Sequence, residues 1–118
     1  MDVIQKLTEF LKTSEGRITA NQWLEDDKMK VYVRKGRHLI EGKLKTTLDI
    51  AAVEVYESSQ GTFKRFLCKA HEINPYEVTY IECVHNARLA AFFVREGWLP
   101  TGNLEDFSFY LKANSPGV

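Results

Sequence analysis

At 118 residues, 44% of them hydrophobic and 27% charged, the chain has the size and composition of one globular domain, which excludes a disordered or fibrous protein. No apolar run nears the roughly eighteen residues that would span a bilayer. Sixteen basic residues balance sixteen acidic ones, so the basic excess of a general nucleic-acid binder is missing. The start, MDVIQKLTEF, is amphipathic and acidic rather than a signal peptide. Cys68 and Cys83 lie outside any C-x-x-C or metal-ligand spacing, which favours a reduced, cytoplasmic protein with both thiols as small core residues.

In residues 2–13, Val3, Leu7, Phe10 and Leu11 form one stripe and Asp2 is available as a cap, predicting a first helix. TSEG ends it. Thr19 and Gln22 then have capping-box spacing for a short second helix carrying Trp23 and Leu24, so residues 1–27 read as helical. MKVYVRKGRHLIEGKL alternates on both sides of Lys35-Gly36, a hairpin signature. TTLDIAAVEVY reads as a strand covered on both faces, completing a meander over 29–57. Lys28 to Lys45 holds seven Lys or Arg and one Glu, which is either a solvated strand face or a docking surface for a phosphate-bearing ligand.

Beyond ESSQG the period changes to helical. Phe63, Phe66, Leu67, Ala70 and Ile73 share a face that ends at Asn74-Pro75. YEVTYIECV is a further strand. Residues 86–96 form a helix with Asn86 as N-cap and Gly97 free to take positive φ behind it. Phe93 belongs to its inner face, while Phe92 is offset toward the first helix or toward a partner chain, as in a homodimer. DFSFYLKA is a last strand, and 114–118 is a tail. The order α-α-β-β-β-α-β-α-β(-β) implies a single α+β domain over 1–118, a mixed sheet with helices on its faces.

In such sheets ligands gather at the C-terminal strand ends, which brings SSQGTF and CVHN to one rim. The loop at Gly61 allows two readings. It is a plain turn with Ser59 as N-cap, or it offers the free amides of Gln60 to Lys64 to an anion. Candidate bases are Asp49 and Glu54 on the central strand, and Glu82 with Tyr80 on the next. Glu82 stands out in a strand otherwise fit for burial, so it must either face a cleft or be paired. His38, His71 and His85 show no metal-ligand spacing, and no metal is expected.

Together these features resemble the GNAT superfamily of acyl-CoA N-acyltransferases over about residues 29–113. Its second segment reads roughly N-x-x-A-x-x-x-Y-x-x-x-G-F, and Asn86, Leu89, Phe93, Gly97 and Trp98 fall at those intervals. Its first, Q/R-x-x-G-x-G/A, falls on Ser58, Gly61 and Phe63. The resemblance implies an acyl-CoA segment over 58–99, a donor such as acetyl-CoA or another acyl-CoA, and an amine acceptor that the sequence does not identify. It further implies that the main chain of Ala51, Val53 and Val55 holds the pantetheine arm. The amides of Ser58, Gln60, Gly61, Thr62, Phe63 and Lys64 would take the pyrophosphate, with Asn86 and Phe93 on the far side of the arm. The departures are Ser58 in place of Arg or Gln, Phe63 at the second glycine, and Phe93 at the position of a thiolate-protonating Tyr. These leave a second reading: a GNAT-like protein without turnover, kept for binding, regulation or assembly.

Overall fold

Helix α1 (Val3–Ser14) begins at a full capping box, in which the Asp2 carboxylate accepts from the Gln5 amide at 2.8 Å and the Gln5 side chain accepts from the Asp2 amide. The computed structural model describes residues 1–56, 61–82, 87–101 and 108–113, without the side chains of 87–89. The remaining elements are β1 (Ala20–Glu25), β2 (Met29–Ile40), β3 (Lys43–Val55), α2 (Thr62–Ile73), β4 (Val78–Ile81), α3 (Ala87–Arg95), β5 (Leu99–Pro100) and β6 (Phe109–Lys112). The sheet order is β1-β2-β3-β4-β6-β5, in which β3 and β4 are parallel and the other neighbours antiparallel. The expected α+β class, a mixed sheet flanked by helices, is the one observed.

Two local expectations are overturned. Residues 20–25 form an edge strand instead of a second helix. Asp26 explains why: its Oδ1 accepts from the amides of Lys28 at 2.8 Å and Met29 at 3.0 Å, folding the chain straight back. Trp23 then lies against Tyr32 across the ladder, ring centroids 5.0 Å apart, and this cross-strand pairing outweighs a short helix that would bury only Leu24. The hairpin expected at Lys35-Gly36 is also absent. β2 runs straight through that pair and turns at Glu41-Gly42, whose φ values of 52° and 81° suit a two-residue primed turn. The meander is therefore made of residues 20–25, 29–40 and 43–55.

Helix α2 matches its predicted stripe, burying Phe66, Leu67 and Ala70. At the end of α3 the amide of Trp98 donates to the Phe93 carbonyl at 2.9 Å and that of Gly97 to Val94 at 3.2 Å, with Gly97 at φ 88°, a Schellman stop. All three helices bury side chains in one cluster with Val31, Val33, Leu48, Ile50, Ile81, Phe109 and Leu111, the residues of one sheet face. The opposite face carries a second, smaller cluster of Ile40, Val78, Tyr80 and Tyr110. Among the described residues no helix is long and apolar enough to cross a membrane.

Candidate active site at the end of the parallel pair

Among the described residues, strands β3 and β4 are paired from Thr47–Val78 to Ile50–Ile81, followed by a bond from the Glu82 amide to the Ile50 carbonyl at 3.1 Å. β3 continues to Val55, bonded among those residues to β2. The register against β2 slips at the same point. Ile50 lies opposite Val33 and Ala52 opposite Tyr32, so Ala51 has no partner and forms a bulge. A bulge bends its strand and sharpens the twist, here one residue past the final rung with β4. Ala52, Val53 and Glu54 beyond it are exposed, Val53 at 36%. Among the described residues, the main-chain groups on that edge of β3 past Ile50 have no β4 partner. Of the expected binding positions, Ala51, Val53 and Val55 all fall on this open stretch.

Helix α2 opens beside it. Gly61 is the N-cap with φ 64°, in the left-handed region natural to glycine, and among the described residues no side chain caps the helix. Among those residues the amides of Thr62, Phe63 and Lys64 in the first turn have no side-chain acceptor. Phe63 leans against the core, and the Lys64 ammonium lies 4.5 Å from the Phe92 ring centroid. Ser58, Gln60 and Asn86, with Cys83 and His85, lie outside the described residues. Phe93 is fully buried, 5.1 Å from Trp98 and 5.3 Å from Phe109 between ring centroids, so it packs in the core.

On the face away from the helices, the candidate carboxylates enter one polar cluster. Asp49, 2% exposed, accepts from the Thr47 hydroxyl at 2.5 Å through Oδ1. Its Oδ2 lies 3.0 Å from His38 Nε2 and 3.6 Å from Arg34 Nε. The other side of the Arg34 guanidinium pairs with Glu82. The His38 ring stacks on Tyr80 at 3.7 Å, nearly parallel. Because a carboxylate can only accept, Nε2 carries the hydrogen and Nδ1 keeps a lone pair in the neutral ring. Asp49 is thus a buried anchor, while Glu82, with its side chain 21% exposed at the end of the ladder, has access to the open edge. Glu54 is exposed opposite Lys30, past the bulge.

Arg34 and Thr47 were not singled out by the sequence, and Gly36 and His38 were read there only as a turn residue and a histidine without metal spacing, although Arg34, Gly36 and His38 alternate along one face of a strand. The bulge did leave a trace. Leu48, Ile50, Val53 and Val55 keep a period of two with one extra residue inserted after Ile50. Side-chain atoms of His38, Asp49 and Glu82 come within 4.8 Å of one another, a grouping open to a cation that no sequence spacing revealed. The Arg34 guanidinium, paired with both carboxylates, already supplies the positive charge a metal would bring.

No protein-family model matches the chain, and no curated protein matches it in sequence. Among solved structures it is similar to a mutant of the toxin AtaT bound to the C-terminus of the antitoxin AtaR and acetyl-CoA. The TM-score is 0.60 at 12% identity, over 95% of this chain and 86% of that one. At that identity the likeness concerns the fold alone, and the fold is the α+β, GNAT-like arrangement.

Proposed function

We propose that this protein is an acyl-CoA-dependent N-acyltransferase, with acetyl-CoA as the first donor to test. The reading is supported above all by the edge of β3 past Ile50, which has no strand partner among the described residues beside β2 and so can offer main-chain donors and acceptors to an extended amide-containing tail. Ala51, Val53 and Val55 grip the arm as an added strand would. The first turn of α2 behind Gly61, which no described side chain caps, receives the pyrophosphate through the amides of Thr62, Phe63 and Lys64. The family resemblance assigns Ser58 and Gln60 to the same role and Asn86 to the far side of the arm. A solved protein of this fold holds acetyl-CoA, which supports the same donor here.

In the reaction the acceptor amine attacks the thioester carbonyl carbon, its N–H proton passes to a base, and the thiolate leaves with the C–S bond electrons. Glu82 is the base placed for this, at the ladder end and partly open to solvent. Asp49 holds Arg34 and His38 in position behind it, and Glu54 is the less favoured carboxylate. The second reading, binding without turnover, draws on Phe93, which is buried where a thiolate-protonating hydroxyl would be needed.

Calorimetry with acetyl-CoA tests the donor site. Saturable binding that Gly61→Trp abolishes without unfolding the chain supports the proposal, and no heat at millimolar ligand sinks it. Release of free thiol upon addition of amines then separates the transferase from the silent binder.

A further inference from the structure

The opposite end of the β3–β4 pair holds a cavity of about 460 Å³, where Thr46 enters the sheet beside Glu77. Its walls carry three cations, Arg17, Lys35 and Arg37, together with Tyr76 and Glu77. Lys35 is already engaged. Its Nζ donates to the carbonyls of Ser14 at 3.2 Å and Arg17 at 2.5 Å, closing the end of α1, and lies 5.1 Å from the Tyr76 ring centroid. Glu77 is engaged too, accepting from the Thr46 amide at 2.9 Å through Oε2 and lying 3.7 Å from Lys45 through Oε1.

That leaves Arg17 and Arg37. Among the described residues no side-chain partner neutralises either guanidinium, in a chain whose total charge is zero and which had other acids to spare. Two like charges lining one concavity repel each other, and an anion between them turns that repulsion into attraction. Guanidinium forks match the oxygens of a phosphate in particular. The register puts Arg37 opposite Thr46, so a rigid strand pair positions the site. Two of the seven basic residues between Lys28 and Lys45, Lys35 and Arg37, line this cavity.

We infer that the cavity of Arg17 and Arg37 binds a phosphate group, carried either by a small phosphorylated ligand or by a phosphodiester strand. It is independent of the donor site, since the two lie at opposite ends of β3. The test is a heteronuclear NMR titration of the full chain with inorganic phosphate, in a chloride buffer. Saturable shifts are expected at the amides of Gly16, Thr46 and Glu77, and they should persist in Gly61→Trp, which removes the proposed pyrophosphate site. Arg17→Ala combined with Arg37→Ala should weaken the binding at least tenfold, given the strength of hydrogen bonds to charged groups. Its denaturation midpoint should stay unchanged, because Arg17 and Arg37 are both exposed. A parallel titration with a short single-stranded oligonucleotide separates the sources: tighter binding than phosphate at the same amides points to a polynucleotide, and weaker or equal binding to a small ligand. Unsaturable shifts, shifts confined to the Gly61 region, or an unchanged affinity in the double variant would overturn the inference.

Discussion

Gly36 and Asp49 meet across the β2–β3 ladder so closely that a Cβ on Gly36 would collide with Asp49 Oδ2, lying 3.1 Å from its Cγ and 3.3 Å from Thr47 Oγ1. The absent side chain is what lets a carboxylate lie flat between Arg34, His38 and Thr47. Replacing a strand glycine by alanine would ordinarily gain about 0.5–1 kcal/mol. Overpacking here costs about 1–3 kcal/mol and wins. Gly36→Ala should therefore lower stability in urea denaturation, and the loss should shrink when Asp49 is first replaced by serine. A stabilised Gly36→Ala would show that Asp49 has room to move.

That glycine also shows where the sequence was legible and where it was not. Lys35-Gly36 between alternating runs reads as a turn because glycine serves turns and close approaches alike, and only the cross-strand partner tells them apart. Thr19 and Gln22 imitated a capping box in the same way; what decided the segment was Asp26 folding the chain back and Tyr32 waiting across the ladder. By contrast, α1, α2 and the stop at Gly97 depend on neighbours within about four residues, and those were readable. Asp49 and Glu82 stood out as carboxylates in buried strands. Their link through Arg34 joins three strands, which no local pattern carries.

Glu82 is paired with Arg34 through one carboxylate oxygen and remains partly exposed. Under the proposed chemistry Glu82→Gln keeps the shape and removes the base. Acetyl-CoA affinity should be unchanged while turnover with a competent amine falls about 100-fold or more, the usual contribution of a general base. Full activity in this variant would take Glu82 out of the role and turn attention to His38, whose Nδ1 keeps its lone pair.

Phe93 occupies the position where a tyrosine could protonate a leaving thiolate, yet its ring is fully buried among Phe92, Trp98 and Phe109. A hydroxyl added at its edge would enter an apolar site. Phe93→Tyr is therefore expected to lose about 1–3 kcal/mol for the unpaired group and to gain no activity. Calorimetric unfolding measures the first and a thiol-release assay the second. A faster enzyme would mean that this face of α3 opens onto the reacting thioester after all.

Asp26 gives the pH dependence of the fold. Burial pushes its carboxyl upward, but the amides of Lys28, Val3 and Met29, aided by the Lys28 charge, outweigh this and hold it below the ordinary 3.8. A carboxyl lowered in the folded state stabilises the fold above its ordinary value, and that stabilisation is lost as pH falls through the lowered one. The side chain is partly open to solvent, so screening keeps the effect at neutral pH modest. Asp26→Asn cannot reproduce the pattern. Oδ1 serves Lys28 and Met29 while Oδ2 accepts from Val3 at 3.1 Å, and an amide nitrogen placed at either position would face a donor. The variant should thus melt lower than the parent at neutral pH, with the gap narrowing steadily below pH 3.8 as the parent becomes protonated. Melting curves of both chains from neutral to acid check it; a gap that stays constant through the acid range would mean that charge at Asp26 contributes nothing to joining α1 to the first hairpin.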